Sequence, residues 1–155
     1  MDERLKEDAE IGAKFTKWRA VINIGEGIPS DECIHANMDA LAQYAKCAQE
    51  NGMVPIVEPE VLMDGEHSID ACYDATERSL KSLFEHLEKY QVNIKGTILK
   101  PNMVTSGSEH NTQASINEVA TRSSDCLVRN VPAELPGVGF LCVGQYEETA
   151  IDNLG

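Results

Sequence analysis

The sequence predicts an α/β fold of parallel βα units. Two observations carry that prediction. Strand-like runs recur about every forty residues, each followed by a helical pattern. The runs are also almost continuously apolar, as in strands covered on both faces rather than one. Parallel neighbours need a crossover, which the intervening helices supply.

The elements follow in order. Asp2 to Ile11 reads as a short helix closed by Gly12, a C′ glycine. Phe15 to Ile24 is rich in β-branched residues and bounded by Gly25 and Gly27, so it is a strand. Ser30 caps a long helix with Asp31 and Glu32 in its positive first turn. Ile34, Met38, Leu41, Ala45 and Ala48 carry its apolar stripe, and Asn51-Gly52 ends it. Met53 to Leu62 is the second strand, with an Asp64-Gly65 turn behind it. A helix from about Ser68 to Tyr90 then turns Ile69, Cys72, Ala75, Leu80, Leu83 and Leu87 inward. Gly96 to Val104 is the third strand. After a loop with Gly107, Ser115-Ile116-Asn117-Glu118 is a capping box that opens another helix. Val138 to Val143 is the fourth strand, and Tyr146 to Leu154 starts a further helix. No linker or low-complexity stretch divides the chain, so residues 1–155 read as one domain or part of one.

The 155 residues suffice for a sizeable core. A formal net charge of −13 excludes nucleic acid as a partner, because phosphate neutralisation needs a basic face. It does not exclude a small anionic substrate, since a few cations in a cleft set the local potential. No apolar run approaches the ~20 residues of a membrane-spanning helix. The charged start lacks the apolar stretch of a secretory signal, and its acids argue against a transit peptide, so a cytoplasmic location is expected. Five scattered cysteines without a C-x-x-C pair and four unclustered histidines fit neither a disulfide scaffold nor a zinc site. Reduced buried thiols, surface imidazoles and neither metal nor cofactor are the expectation.

The informative residues are charges inside apolar strands. Lys17 and Arg19, two apart, share one side of the first strand, as Glu58 and Glu60 do at the end of the second. Lys100 follows Ile98-Leu99 and precedes Pro101. Buried charges must pair or serve chemistry. These groups stand toward the C-terminal halves of their strands, where βα folds place active sites. Amine catalysis suits them. A lysine has to lose its proton to be a nucleophile, and an apolar setting or a neighbouring cation favours that loss. Lys100 has the apolar strand, Lys17 or Arg19 supplies the cation, and Glu58 is placed to shuttle protons. The same residues also suit a purely internal ion-pair network.

The strings themselves resemble a known family. Lys17-Trp18-Arg19, Val54-Pro55-Ile56-Val57-Glu58-Pro59-Glu60 and Leu99-Lys100-Pro101-Asn102-Met103-Val104 look like signature segments of class I fructose-bisphosphate aldolase, with similar spacing over nearly the whole chain. The resemblance implies a partial (β/α)8 TIM barrel, about its fourth to seventh strands, since the whole fold takes ~250 residues. It implies a small phosphorylated sugar as substrate and a homo-oligomer as assembly. Residue by residue, Lys100 matches the Schiff-base lysine, Glu58 the acid/base glutamate and Glu60 the carboxylate that positions cations. Lys17 matches the lysine beside the imine, and Arg19 the arginine near the sugar phosphate. Trp18 alternates outward into packing, and His67 is a turn or cap residue.

The resemblance breaks at Cys142 and Val143, where the family has serine and glycine before Gly144 in a phosphate-binding loop. A valine side chain crowds a close anion, and a thiol is a poor replacement donor, so weak phosphate binding is expected. Two alternatives stay open: an aldolase-like fragment acting as an interaction module, and a Schiff-base aldolase for another sugar.

Overall fold

The computed structural model describes residues 2–141 together with residues 148, 151 and 152. Four strands form one parallel sheet in chain order: β1 (Phe15–Ile22), β2 (Val54–Val61), β3 (Ile98–Leu99) and β4 (Gly137–Val138). A short α1 (Asp2–Glu10) precedes β1. The crossovers are α2 (Asp31–Glu50), α3 (Ile69–Lys89) and α4 (Ile116–Asn130). Each crossover helix starts on a serine. Ser30, Ser68 and Ser115 accept hydrogen bonds from the amides of Cys33, Ala71 and Glu118, satisfying donors that the first turn leaves free.

The helices cover one face of the sheet. Ala20 and Ile22 of β1, Val57 and Val61 of β2 and Leu99 of β3 point outward into a core with Ile34, Met38 and Leu41 of α2 and Leu80, Leu83 and Leu87 of α3. Each such leucine or isoleucine contributes roughly 1.5–3 kcal/mol by leaving water. Trp18 packs outward on Tyr44, ring centres 4.9 Å apart, and the Tyr44 hydroxyl donates to Thr16 Oγ1 at 2.6 Å. The opposite, inner face carries Phe15, Lys17, Arg19 and Val21 of β1 with Ile56, Glu58 and Glu60 of β2; its β1 part is open, with Phe15 64% exposed, whereas Glu58 and Glu60 are buried. Cys33 is exposed and Cys47 half-buried, which corrects the expectation of uniformly buried thiols. Cys72 and Cys126 are buried, and burial pushes the Cys126 thiol up to about 12. No helix among the described residues is long and apolar enough to cross a membrane.

The expected strand from Gly96 to Val104 is the main correction. A 3₁₀ turn occupies Ile94–Gly96, and only Ile98 and Leu99 pair with β2. The cause lies in β2. Val57 O accepts from Lys100 N at 2.8 Å, so the main-chain groups of Val57 face β3, and those of Pro59 and Val61 face it too. Pro59 has no N–H to give. Residues of the other parity face β1, and there Val54 N and Leu62 N close an uninterrupted eight-residue ladder. Beyond Lys100 the segment Pro101 to Val104 stays buried outside any strand, with an isolated bridge from Asn102 to Leu141. β4 begins at Gly137, one residue earlier than expected. The strand also stops at Val138 instead of running on as expected: Gly139 and Phe140 carry no strand and Leu141 makes only the isolated bridge, while Cys142 and Val143 and most of the helix from Tyr146 lie outside the described residues.

Candidate active site

The register of β1 on β2 sets Arg19 beside Glu58 and Lys17 beside Ile56, while Ile98 lies beside Ile56. One step further along β3 brings Lys100 level with Glu58 on the inner face. Glu58 Oε1 accepts a hydrogen bond from Lys100 Nζ at 3.3 Å. Glu58 Oε2 lies 3.0 Å from Lys17 Nζ, an ion pair by distance that lacks the geometry of a directed hydrogen bond. The carboxylate is 1% exposed, and the side chains of Lys17 and Lys100 are 48% and 30% exposed. A buried anion thus stands between two amines that reach solvent on the inner face. Lower dielectric strengthens such contacts, and the two cations offset the desolvation of the carboxylate. One turn of the pleat higher, Arg19 Nε hydrogen-bonds Glu60 Oε2, and that bond holds the guanidinium more firmly protonated than usual.

All 155 residues match the model of one protein family, described as class-I fructose-bisphosphate aldolase. The chain belongs to that family. It is 55% identical over 97% of its length to a Xanthomonas axonopodis pv. citri protein named "Probable fructose-bisphosphate aldolase class 1", covering 45% of that protein. It is 47% identical over 99% of its length to the cytosolic fructose-bisphosphate aldolase 4 of Arabidopsis thaliana, covering 39% of it. Among solved structures it resembles the fructose-bisphosphate aldolase of Plasmodium falciparum, with TM-score 0.94 and 44% identity over 98% of this chain and 44% of that one. The chain therefore spans less than half the length of the aldolases it matches, and its described βα units and fourth strand are part of the aldolase barrel.

Within this aldolase segment the five sequence-predicted residues share the inner face: Arg19, Glu58 and Glu60 in the C-terminal halves of β1 and β2, Lys100 just past the end of β3, and Lys17 in the N-terminal half of β1, which corrects the expectation for that residue. Cys142, Val143 and Gly144 lie outside the described residues. Beside the amine cluster is a cavity of about 230 Å³, lined among others by Arg19, Glu60, Asp64, Asn102, Thr105 and Ser108. Its wall is a zipper between two loops. Ser108 N donates to Met63 O at 2.7 Å, Gly107 N to His67 O at 2.8 Å and Glu109 N to Gly65 O at 2.9 Å. A Cβ on Gly107 would come within 2.2 Å of Gly65 O, so only glycine fits.

His67 sits in that wall just before Ser68, the cap of α3; it is neither in a turn nor the cap, and neither ring nitrogen has a hydrogen-bond partner among the described residues. Burial, with a smaller push from His110, lowers its titration below the usual 6.5, which keeps the ring neutral at pH 7. The residue that sequence reasoning passed over is Asn102. It is 7% exposed, and its amide spans from β2 to α3. The available signal was a polar amide inside an apolar run two residues after the lysine.

Proposed function

We propose that this chain carries the imine-forming part of a class I fructose-bisphosphate aldolase. The reaction is the reversible cleavage of fructose 1,6-bisphosphate to dihydroxyacetone phosphate and glyceraldehyde 3-phosphate. The observation that supports the reading is the Glu58 carboxylate, buried, within 3.0 and 3.3 Å of the Lys17 and Lys100 amines. Lys100, once unprotonated, adds to the ketone carbonyl of the open-chain sugar. Glu58, hydrogen-bonded to that amine, is placed to give the proton with which the carbinol oxygen leaves as water. The protonated imine then withdraws the electron pair of the neighbouring carbon–carbon bond as the hydroxyl on the far carbon loses its proton to a base. Lys17 adds positive charge beside the reacting centre, and Arg19, oriented by Glu60, is the group offered to a sugar phosphate. No step calls for a metal or a cofactor.

The test is to incubate the purified chain with dihydroxyacetone phosphate, reduce with borohydride and map the adduct by mass spectrometry. A chelator-insensitive adduct on Lys100, absent in Lys100→Arg, is expected. A folded chain that traps nothing, or traps on other lysines, contradicts the proposal. The open β1 part of the inner face, with Phe15 64% and Val21 39% exposed, favours a second reading beside the first: an interaction module that binds another aldolase chain. Cleavage found only in mixed oligomers would favour that second reading.

A further inference from the structure

We infer that Asn102 is the residue that positions Lys100 against Glu58, an inference that rests on the imine-forming reading of the site. Three observations lead to it. First, the β2–β3 ladder makes its last backbone bond at Lys100 N to Val57 O, and Pro59 brings no donor to the next step. The two segments bearing Glu58 and Lys100 are thus laced at Lys100 itself and unlaced from the next step onward, so that one backbone bond has no ladder neighbour above it.

Second, the side chain of Asn102 crosses that gap. Its Oδ1 accepts from Val61 N at 3.0 Å, and its Nδ2 donates to Thr76 Oγ1 at 3.1 Å and to Met103 O at 3.0 Å. The orientation of the amide follows from its partners: Val61 N can only donate and Met103 O can only accept. One side chain therefore ties the residue after Glu60, the residue after itself and the interior of α3 to a point two residues beyond Lys100.

Third, a comparable bond nearby does a different job. Ser123 Oγ accepts from Val104 N at 2.8 Å and is equally buried, but it anchors the segment to α4 and does not touch β2. Both bonds serve the buried main chain after Lys100, whose polar groups need partners. Asn102 alone of the two spans the β2–β3 gap, so it is a positioning residue and Ser123 is its control.

The experiment uses two readouts on the wild-type chain, Asn102→Ala, Thr76→Val and Ser123→Ala, each first checked for folding by circular dichroism. The pH profile of reductive methylation at Lys100, referred to Lys46 in the same sample, reports the setting of the amine without any substrate. The borohydride-trapped adduct with dihydroxyacetone phosphate reports imine formation. Asn102→Ala is expected to move the Lys100 methylation profile by about half a pH unit or more. Its adduct yield is expected to fall about tenfold, as when a reacting group is misplaced by a fraction of an ångström. Thr76→Val, which removes one anchor of the amide, is expected to move both in the same direction by less. Ser123→Ala is expected to lower the melting temperature and move neither.

A folded Asn102→Ala with the wild-type profile and yield overturns the inference, as does a Ser123→Ala that shifts the profile equally. If Asn102→Ala does not fold, Thr76→Val decides, and a wild-type profile there overturns the inference. A wild-type chain that traps no adduct refutes the imine reading, while the methylation profiles still show whether Asn102 sets the amine.

Discussion

The two seams of β2 are built differently. Toward β1, eight consecutive residues pair in register and ion pairs cross the inner face above them. Toward β3, two residues pair, and beyond them side chains and loop amides take over from the ladder. The difference follows from parity. Pro55 and Pro59 both fall on the residues of β2 that face β3, so one edge of the strand keeps all its donors while the other loses two. Glu58 belongs to both seams, with Lys17 on the continuous side and Lys100 on the interrupted one. A continuous ladder fixes spacing through many weak bonds. An interrupted one leaves room for a cleft and concentrates the spacing in a few side chains.

That contrast sets the order of the expected effects. The largest is at Gly107, in the loop zipper of the β3 side. Gly107→Ala forces a Cβ against Gly65 O and is expected to cost about 3 kcal/mol in chemical denaturation, at the upper end for overpacking. Gly52→Ala, in the turn between α2 and β2 with φ +74° but open space, should cost only about 1 kcal/mol. Equal losses would erase the contrast. Next comes Asn102→Ala, which strands the buried Val61 amide and should cost about 2 kcal/mol, as unsatisfied buried donors do. Lys17→Met, on a half-exposed side chain whose partner keeps Lys100, should stay within about 1 kcal/mol.

The smallest effect concerns pH. The folded chain disfavours protonation of His67, so the unfolded chain takes up the proton first. The stabilisation is complete above the ordinary value of 6.5 and is lost as the pH falls from there through the lower folded value. Denaturation midpoints measured between pH 7 and pH 5 should fall more in the wild-type chain than in His67→Asn, sharpening the view that the loop wall is closed to solvent.

Much of this was legible in the sequence. The stripe from Ile34 to Ala48, the serine starts of the helices and the alternation of Lys17 with Arg19 and of Glu58 with Glu60 are local patterns, and local patterns survive folding. The extent of β3 was not legible, because Gly96 to Val104 is apolar enough to be a buried strand and burial does not require a ladder. Whether Pro59 interrupts the seam with β1 or with β3 depends on which neighbour its parity faces, and that is a property of the assembled sheet. Period alone likewise puts Glu58 and Glu60 on one face, but only the register gives Glu58 both lysines and Glu60 the arginine. Asn102 stayed silent for the same reason: its partners lie 26 and 41 residues away in the chain.

The most direct test of the account is the rate at which dihydroxyacetone phosphate and borohydride label Lys100 in wild-type and Glu58→Gln chains of equal foldedness. The substitution keeps the shape and removes the charge that joins the two seams. A wild-type adduct on Lys100 and a rate about a hundredfold lower in Glu58→Gln are expected, within the range of a lost general acid–base. Equal rates in the two chains would contradict the account.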